Sequence, residues 1–122
     1  WNMSAVIENK LGSITYSDDY IASIAGMATT ECYGVVGMAS TKKVSDGIVE
    51  LLGRENLKKG VKVFTDQTHA LRIDLYIVVQ YGLAISASSN SIIETIRYQV
   101  ERATGLTVRE VNVIVSGIRV NA

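Results

Sequence analysis

The chain has 122 residues but one cysteine and one histidine, and its twelve basic and twelve acidic side chains cancel. Because Cys32 stands alone, an internal disulfide and a metal site built from several cysteines are excluded. A formal net charge of zero gives no overall attraction to nucleic acid or to an anionic membrane. The composition predicts a single globular domain in a reducing compartment, long enough to form a hydrophobic core.

The sequence also lacks an apolar run long enough to span a bilayer, which takes roughly 18 residues. Its most apolar stretch, LRIDLYIVVQYGLAIS at 71–86, alternates instead between apolar and polar positions from 71 to 80. This period of two predicts a long strand with one buried face, which carries Leu71 to Tyr81 at odd positions. Tyr76 and Val78 make the centre of the other face apolar as well, so we expect a helix, a second sheet or another chain to cover it.

The first half of the chain predicts a short strand in LGSITY (11–16) and then a helix. Ser17 provides the N-cap of this helix, Asp18 and Asp19 favour its positive end, and Gly34 provides its C-cap. Its predicted buried stripe consists of Ile21, Ile24, Ala25, Ala28 and Cys32.

A second, shorter helix is predicted from Ser45 and Asp46 to Gly53, followed by a hairpin of VKVFT, the turn DQTHA and the long strand. A third helix begins around SASSNS, where Ser91 and Glu94 have capping-box spacing, and ends at Thr104–Gly105. Its predicted inner face consists of Ile92, Ile96, Val100 and Ala103.

The last segment, LTVREVNVIVSGIRVNA, predicts another long strand with a β-bulge at Ser116–Gly117, because its apolar positions change parity there. The predicted buried set is Val111, Val113, Val115, Ile118 and Val120. The predicted fold is α+β: a two-layer sandwich of a mostly antiparallel sheet with two main helices and one short helix on one face. We assign residues 11–122 to this domain and 1–10 to an N-terminal tail, in which Trp1 and Asn2 are added residues before a native Met3.

Catalytic and cofactor signals are weak. His69 lies at the predicted hairpin turn without a paired nucleophile, so a hydrolase centred on it is the third-ranked hypothesis. Helix capping accounts for the neighbouring carboxylates Asp18 and Asp19, and neither His69 nor Cys32 has further metal-ligating residues beside it. The sequence therefore predicts no catalytic residues, no cofactor and no metal.

Two binding signals remain. GVVG at 34–37 is a GxxG segment like the nucleic-acid clamp of KH domains, with Gly34 and Gly37 as its glycines, although Val35 and Val36 supply no basic help. A mildly basic cluster is a candidate contact for an acidic partner or an anion, although a solvated surface is the favoured explanation. The cluster consists of Lys42, Lys43, Arg54, Lys58, Lys59 and Lys62.

Four stretches in order resemble the alkaline shock protein family, in particular its YloU-like branch in Gram-positive bacteria. They are IASIAGMATTECYGVVGMAS (21–40), DGIVELLGRENLKKGVKV (46–63), IDLYIVVQYG (73–82) and TGLTVREVNVIVSGIRV (104–120). Together they make the resemblance specific over nearly the whole chain, from Gly12 to Val120.

The resemblance implies a small cytoplasmic protein of the alkaline and cell-envelope stress response, with no established catalytic activity. It also implies self-association into a homo-oligomer, and recruitment to the inner face of the membrane by a membrane-anchored protein partner rather than by direct insertion. The YloU-like branch further suggests a link to a fatty acid kinase and lipid metabolism. We therefore expect a non-enzymatic scaffold or adaptor, and a nucleic-acid-binding module is the alternative.

Overall fold

The computed structural model describes residues 5–41, 51–82 and 84–120. In chain order, the strands are β1 (Ala5–Asn9), β2 (Gly12–Tyr16), β3 (Val35–Met38), β4 (Val61–Thr65), β5 (Leu71–Gln80) and β6 (Val108–Arg119). The α-helices are α1 (Asp18–Thr30), which follows β2, and α2 (Ile85–Thr104), which follows β5; a 3₁₀ helix spans Arg54–Gly60. This arrangement confirms the α+β class.

The main sheet is organised around β5. β4 and β3 pair antiparallel with successive parts of one edge of β5, at 71–75 and 77–79, and β6 pairs parallel with the other edge. The connection from β5 through α2 to β6 is thus a βαβ unit. β1 and β2 form a separate antiparallel hairpin, so three of the four pairings between described strands are antiparallel.

One hydrophobic core joins the sheet to the helices. The predicted buried face of β5 is confirmed from Leu71 to Val79, whereas Tyr81 is exposed in the turn that follows. The helix residues in this core include Ile21, Ala25 and Ala28 of α1 and Ile92, Ile96 and Val100 of α2. On β5 they pack against Leu71, Ile73, Leu75, Ile77 and Val79.

The local signals at α1 are mostly confirmed. The Ser17 Oγ accepts a hydrogen bond from the Tyr20 N–H at 3.1 Å, and both aspartates lie in the first turn. The helix ends earlier than predicted, with Glu31 as C-cap, and Gly34 takes a positive φ of 84° in the turn before β3. Cys32 consequently lies beyond the helix and is half-buried against the core.

Other predicted boundaries are wrong. α2 begins at Ile85 after Ala84, which makes no side-chain capping bond, so the Ser91 capping box is not used and the serine-rich stretch is helical. Ala103 is exposed, and Thr104 is buried near it. The left-handed Gly105 ends this helix as predicted.

The short helix and the N-terminal segment also differ from the predictions. The short helix in the structure is a 3₁₀ segment at 54–60, which begins after the predicted end at Gly53. Positions 45–50 of the predicted helix lie outside the described residues, and Leu51 forms a β-bridge with Ala39. Within the range 1–10 assigned to a tail, residues 5–9 form β1, and Ala5 is fully buried.

The bulge in β6 is confirmed. Ile77 pairs with Val115 and Val78 with Gly117, so Ser116 is the extra residue. A second irregularity, which was not predicted, lies near the start of the strand, between the pairs Leu71–Val108 and Arg72–Glu110.

Candidate interaction surface

The predicted basic cluster is partly occupied by internal contacts. The Lys58 Nζ lies 3.4 Å from the Asp19 Oδ2, and the Lys62 Nζ lies 5.5 Å from the centre of the Tyr76 ring. Arg54 and Lys59 lie on the 3₁₀ helix, and Lys42 and Lys43 lie outside the described residues. An anion or acidic partner at this cluster stays a prediction.

The GVVG segment is part of the sheet. Val35 pairs with Val79 of β5 and Gly37 pairs with Val78, so the backbone between the glycines is engaged in β3. A Cβ at Gly37 would lie 3.0 Å from the Leu51 Cδ2, which gives this glycine a packing role. A KH clamp needs a free loop between two helices, and Gly34 and Gly37 do not form one here.

His69 has a structural contact at the hairpin turn. Its φ is +64°, a left-handed conformation that is rare for a non-glycine residue, and its Nδ1 accepts a hydrogen bond from the Val6 N–H. In the same turn, the Asp66 Oδ1 accepts hydrogen bonds from the Thr68 hydroxyl and N–H and from the Ala70 N–H. These bonds, chiefly that from the Thr68 hydroxyl, and the nearby Arg109 lower the pKa of the Asp66 carboxyl.

A groove of about 590 Å³ lies between α1 and α2, and Cys32 lines it. Burial raises the pKa of the Cys32 thiol, and its Sγ donates a 3.5 Å hydrogen bond to the Ala28 carbonyl oxygen. A raised pKa disfavours the reactive thiolate. Across the described ranges, no three His, Cys, Asp or Glu side chains are grouped so as to hold a metal ion.

The second face of β5, which the sequence predicted to be covered, is fully covered at Val78 and partly covered at Tyr76. Val78 is completely buried within the single chain, and Tyr76 is half-buried. Of the three predicted kinds of cover, Val78 is therefore covered within the chain itself and offers no apolar surface to a partner.

Exposed apolar side chains follow one another at the end of β6, among others elsewhere on the surface such as Leu11 and Tyr33. Val115 and Ile118 pair in register with Ile77 and Val79, so their side chains are on the helix-covered side of the sheet. Along β6 the burial decreases from Val111, which is buried, to Val115 and Ile118, which are 41% and 52% exposed. Val120, just after the strand, is 64% exposed. We call these three side chains, Val115, Ile118 and Val120, the β6 ridge.

The β6 ridge corrects the prediction that all three residues are buried. Strand alternation identifies the correct face, but the helices do not cover that face as far as its outer edge. The sequence signal that could have found the ridge is the run of apolar residues beyond the bulge, since the outer end of an edge strand is the part most open to solvent.

Comparisons with known proteins give a consistent result. The model of the alkaline shock protein family, which is described as having a cell envelope-related function, matches residues 6–120. The uncharacterized protein YloU of Bacillus subtilis (strain 168) is 41% identical over 118 residues, covering 97% of this chain and 98% of that protein.

Two further similar proteins come from Streptococcus pyogenes. The uncharacterized protein Spy1614 of serotype M6 is 42% identical, covering 97% of each chain. A stress response regulator gls24 homolog of serotype M3 is 31% identical over 110 residues, covering 88% of this chain and 59% of that protein. No solved structure matches the chain.

Proposed function

Since this chain belongs to the alkaline shock protein family, which has a cell envelope-related function, we propose that it is a non-enzymatic scaffold or adaptor of the cell-envelope stress response. The proposed action is self-association together with binding of other proteins. The observation that carries this proposal is the β6 ridge, an apolar surface that the single chain leaves open.

The ridge supports protein binding for an energetic reason. Burying apolar surface contributes roughly 25 cal/mol per Å², and exposed apolar side chains that lie side by side are a common feature of protein–protein interaction sites. Val115 and Ile118 lie on β6 and Val120 follows directly after it, so a single partner can cover all three. A rigid sheet also holds them in fixed positions, which reduces the conformational entropy lost on binding.

The proposed partners are a second copy of the chain and an envelope protein. Similarity to a stress response regulator homolog supports the link to stress. The family resemblance suggests a membrane-anchored protein or a fatty acid kinase as the envelope partner, with the chain recruited from the cytoplasm to the inner face of the membrane. In the described part of the chain, no helix is long and apolar enough to cross a bilayer.

The test places a photo-crosslinking residue at Ile118 in the native cell and, as a matched control, at Ile14. Both residues are isoleucines on strands and are similarly exposed, Ile118 by 52% and Ile14 by 56%, but Ile14 lies on the separate β1–β2 hairpin. We expect adducts to the chain itself or to an envelope protein at Ile118 under envelope stress, and none at Ile14. Equal adducts at both positions, or none at either, would contradict the proposal.

A functional arm uses a strain that lacks the protein. Ile118→Lys introduces a charge that opposes burial of the ridge, and Ile14→Lys makes the same change away from it. The Ile14→Lys protein should restore tolerance of envelope stress, and the Ile118→Lys protein should fail to do so at an equal cellular amount. If both variants restore stress tolerance fully, the β6 ridge is not required for the function.

A further inference from the structure

The outer edge of β6 is available for backbone pairing. β5 is the strand that pairs with β6 in the three described ranges, and it occupies one edge. The Arg119 carbonyl oxygen accepts a hydrogen bond from the Tyr81 N–H on the β5 side at 2.9 Å. Because backbone groups alternate in direction along a strand, Ile118 and Val120 direct theirs to the outer edge.

The same alternation extends back through the bulge. Ser116 is the extra residue of β6 and has no partner on β5. The next residues whose backbone N–H and C=O groups point to the outer edge are therefore Val115 and Val113. These residues also carry the helix-side side chains. The outer edge therefore combines outward-directed backbone groups with the apolar ridge, which is the arrangement that favours addition of another strand.

We infer that β6 pairs antiparallel with β6 of a second copy, about a two-fold axis at Ile114. The inference rests on the self-association in the proposed function and assigns a surface to it. Ile114 lies opposite the partner's Ile114, and Val113 lies opposite the partner's Val115. Beyond the bulge, Val111 lies opposite the partner's Ile118.

This register follows from matching the two faces of the sheet. A shift of one residue moves every side chain of a strand to the opposite face, so a correct register must keep apolar positions together. When Ser116 is left unpaired in each copy, Val111 and Val113 of one copy lie opposite Ile118 and Val115 of the other. All four side chains are on the side of the sheet that the helices cover. Outer-face Ile114 meets itself, as required for an isologous contact.

Charge complementarity favours a second copy as the occupant. The register places Glu110 opposite the partner's Arg119, and both residues lie on the outer face because they pair with Arg72 and Gln80 of β5. The two-fold axis creates this opposite-charge pair twice. Two copies also approach without net repulsion, because the formal charge of the chain is zero.

The first experiment is disulfide cross-linking in a Cys32→Ser background. In the proposed register Ile114 is a non-hydrogen-bonded pair, whose Cα atoms are roughly 4.5 Å apart, within the range that a disulfide accepts. Ile114→Cys should therefore form a covalent dimer under a mild oxidant. The control Val120→Cys should stay monomeric, because two such residues lie roughly 30–40 Å apart in the same dimer at about 3.4 Å per residue.

The second experiment measures the dimer dissociation constant by sedimentation across the soluble concentration range. Glu110→Lys replaces two attractions with two repulsions and should weaken the dimer roughly 2- to 30-fold. The double variant Glu110→Lys with Arg119→Glu exchanges the charges and should restore most of the affinity. A general structural defect would not be repaired by a second charge reversal.

The possible results separate this interface from the wider proposal. Cross-linking at Ile114 but not at Val120, with rescue by the charge exchange, supports the β6 contact. An assembling protein with no cross-link at Ile114, or with no response to Glu110→Lys, overturns the β6 contact and leaves self-association standing on another surface. A wild-type protein that stays monomeric at every concentration overturns both and leaves the ridge to a different partner.

Discussion

The Nδ1 of His69 accepts a hydrogen bond of 3.2 Å from the backbone N–H of Val6, 63 positions earlier in the chain. This contact joins the β1–β2 hairpin to the turn between β4 and β5, two parts that belong to different sheets. The imidazole is thus used to attach the hairpin. This contact gives the lone histidine a structural role in the turn.

We expect His69→Ala to lower the free energy of unfolding by about 1–3 kcal/mol, because it removes the acceptor of the Val6 N–H. His69→Gly removes the same acceptor but adopts the positive φ of 64° without strain. The glycine variant should therefore be the more stable of the two, by about 1 kcal/mol. Urea denaturation of the three proteins is the measurement, and an alanine variant as stable as the wild type would contradict the structural role of His69.

The turn also gives a pH dependence through Asp66. Hydrogen bonds, chiefly from the Thr68 hydroxyl, hold its folded-state pKa below the ordinary value of 3.8. A lowered folded pKa gives stability that is complete above the unfolded value and is lost as the pH falls through the folded value. The free energy of unfolding should therefore decline with acidification in this window.

Asp66→Asn should flatten that decline, because the variant has no carboxyl to protonate at this position. Thr68→Ala should flatten it partly, because it removes the largest cause of the lowered pKa. The measurement is denaturant unfolding at a series of acidic pH values. Parallel curves for wild type and Asp66→Asn would show that Asp66 does not contribute to acid sensitivity.

The centre of the core is tested at Ile77, which is fully buried on β5 between β3 and β6. Ile77→Ala should lower the free energy of unfolding by about 2–5 kcal/mol through lost burial and the cavity left behind. Ile14→Ala, at an exposed isoleucine of β2, should change it by less than about 1 kcal/mol. Equal losses at the two positions would mean that the buried face of β5 is assigned incorrectly.

The sequence predicted most reliably the features that local patterns determine. The alternation in β5 identified Ile77 as buried, the Ser17 cap marked the start of α1, and a parity change located the bulge at Ser116. Each of these signals lies within a few residues of the feature it predicts. The family resemblance added the class of function, which the described geometry alone does not specify.

The missed features depend on contacts between distant segments. Ala5 is buried because β1 packs on the core, and no pattern within 1–10 indicates that contact. The serine-rich start of α2 is a poor helix former by itself, yet the helix extends through it to Ile85, a residue that packs against the core. The exposure of Val115 depends on how far the helices extend across the sheet, which a single strand does not encode.

The C-terminus of α2 provides the last prediction. Gly105 ends the helix with a φ of +76°, and its N–H donates a 2.7 Å hydrogen bond to the Glu101 carbonyl oxygen. Gly105→Ala should lower the free energy of unfolding by about 1–2 kcal/mol, because an L side chain is strained in this conformation. The added Cβ would also lie 3.3 Å from the Ile7 Cδ1, so the hairpin would have to shift slightly.

The matched control is Gly53→Ala, since Gly53 has an ordinary φ of −70° and a Cβ there would meet nothing within 4 Å. This variant should keep the wild-type stability to within about 0.5 kcal/mol. The measurement is thermal and urea unfolding of both variants, with hydrogen exchange of β1 amides to detect movement of the hairpin. If Gly105→Ala is no less stable than Gly53→Ala, the left-handed cap does not determine where α2 ends, and the turn into β6 must be fixed by the buried Leu106 and Val108 instead.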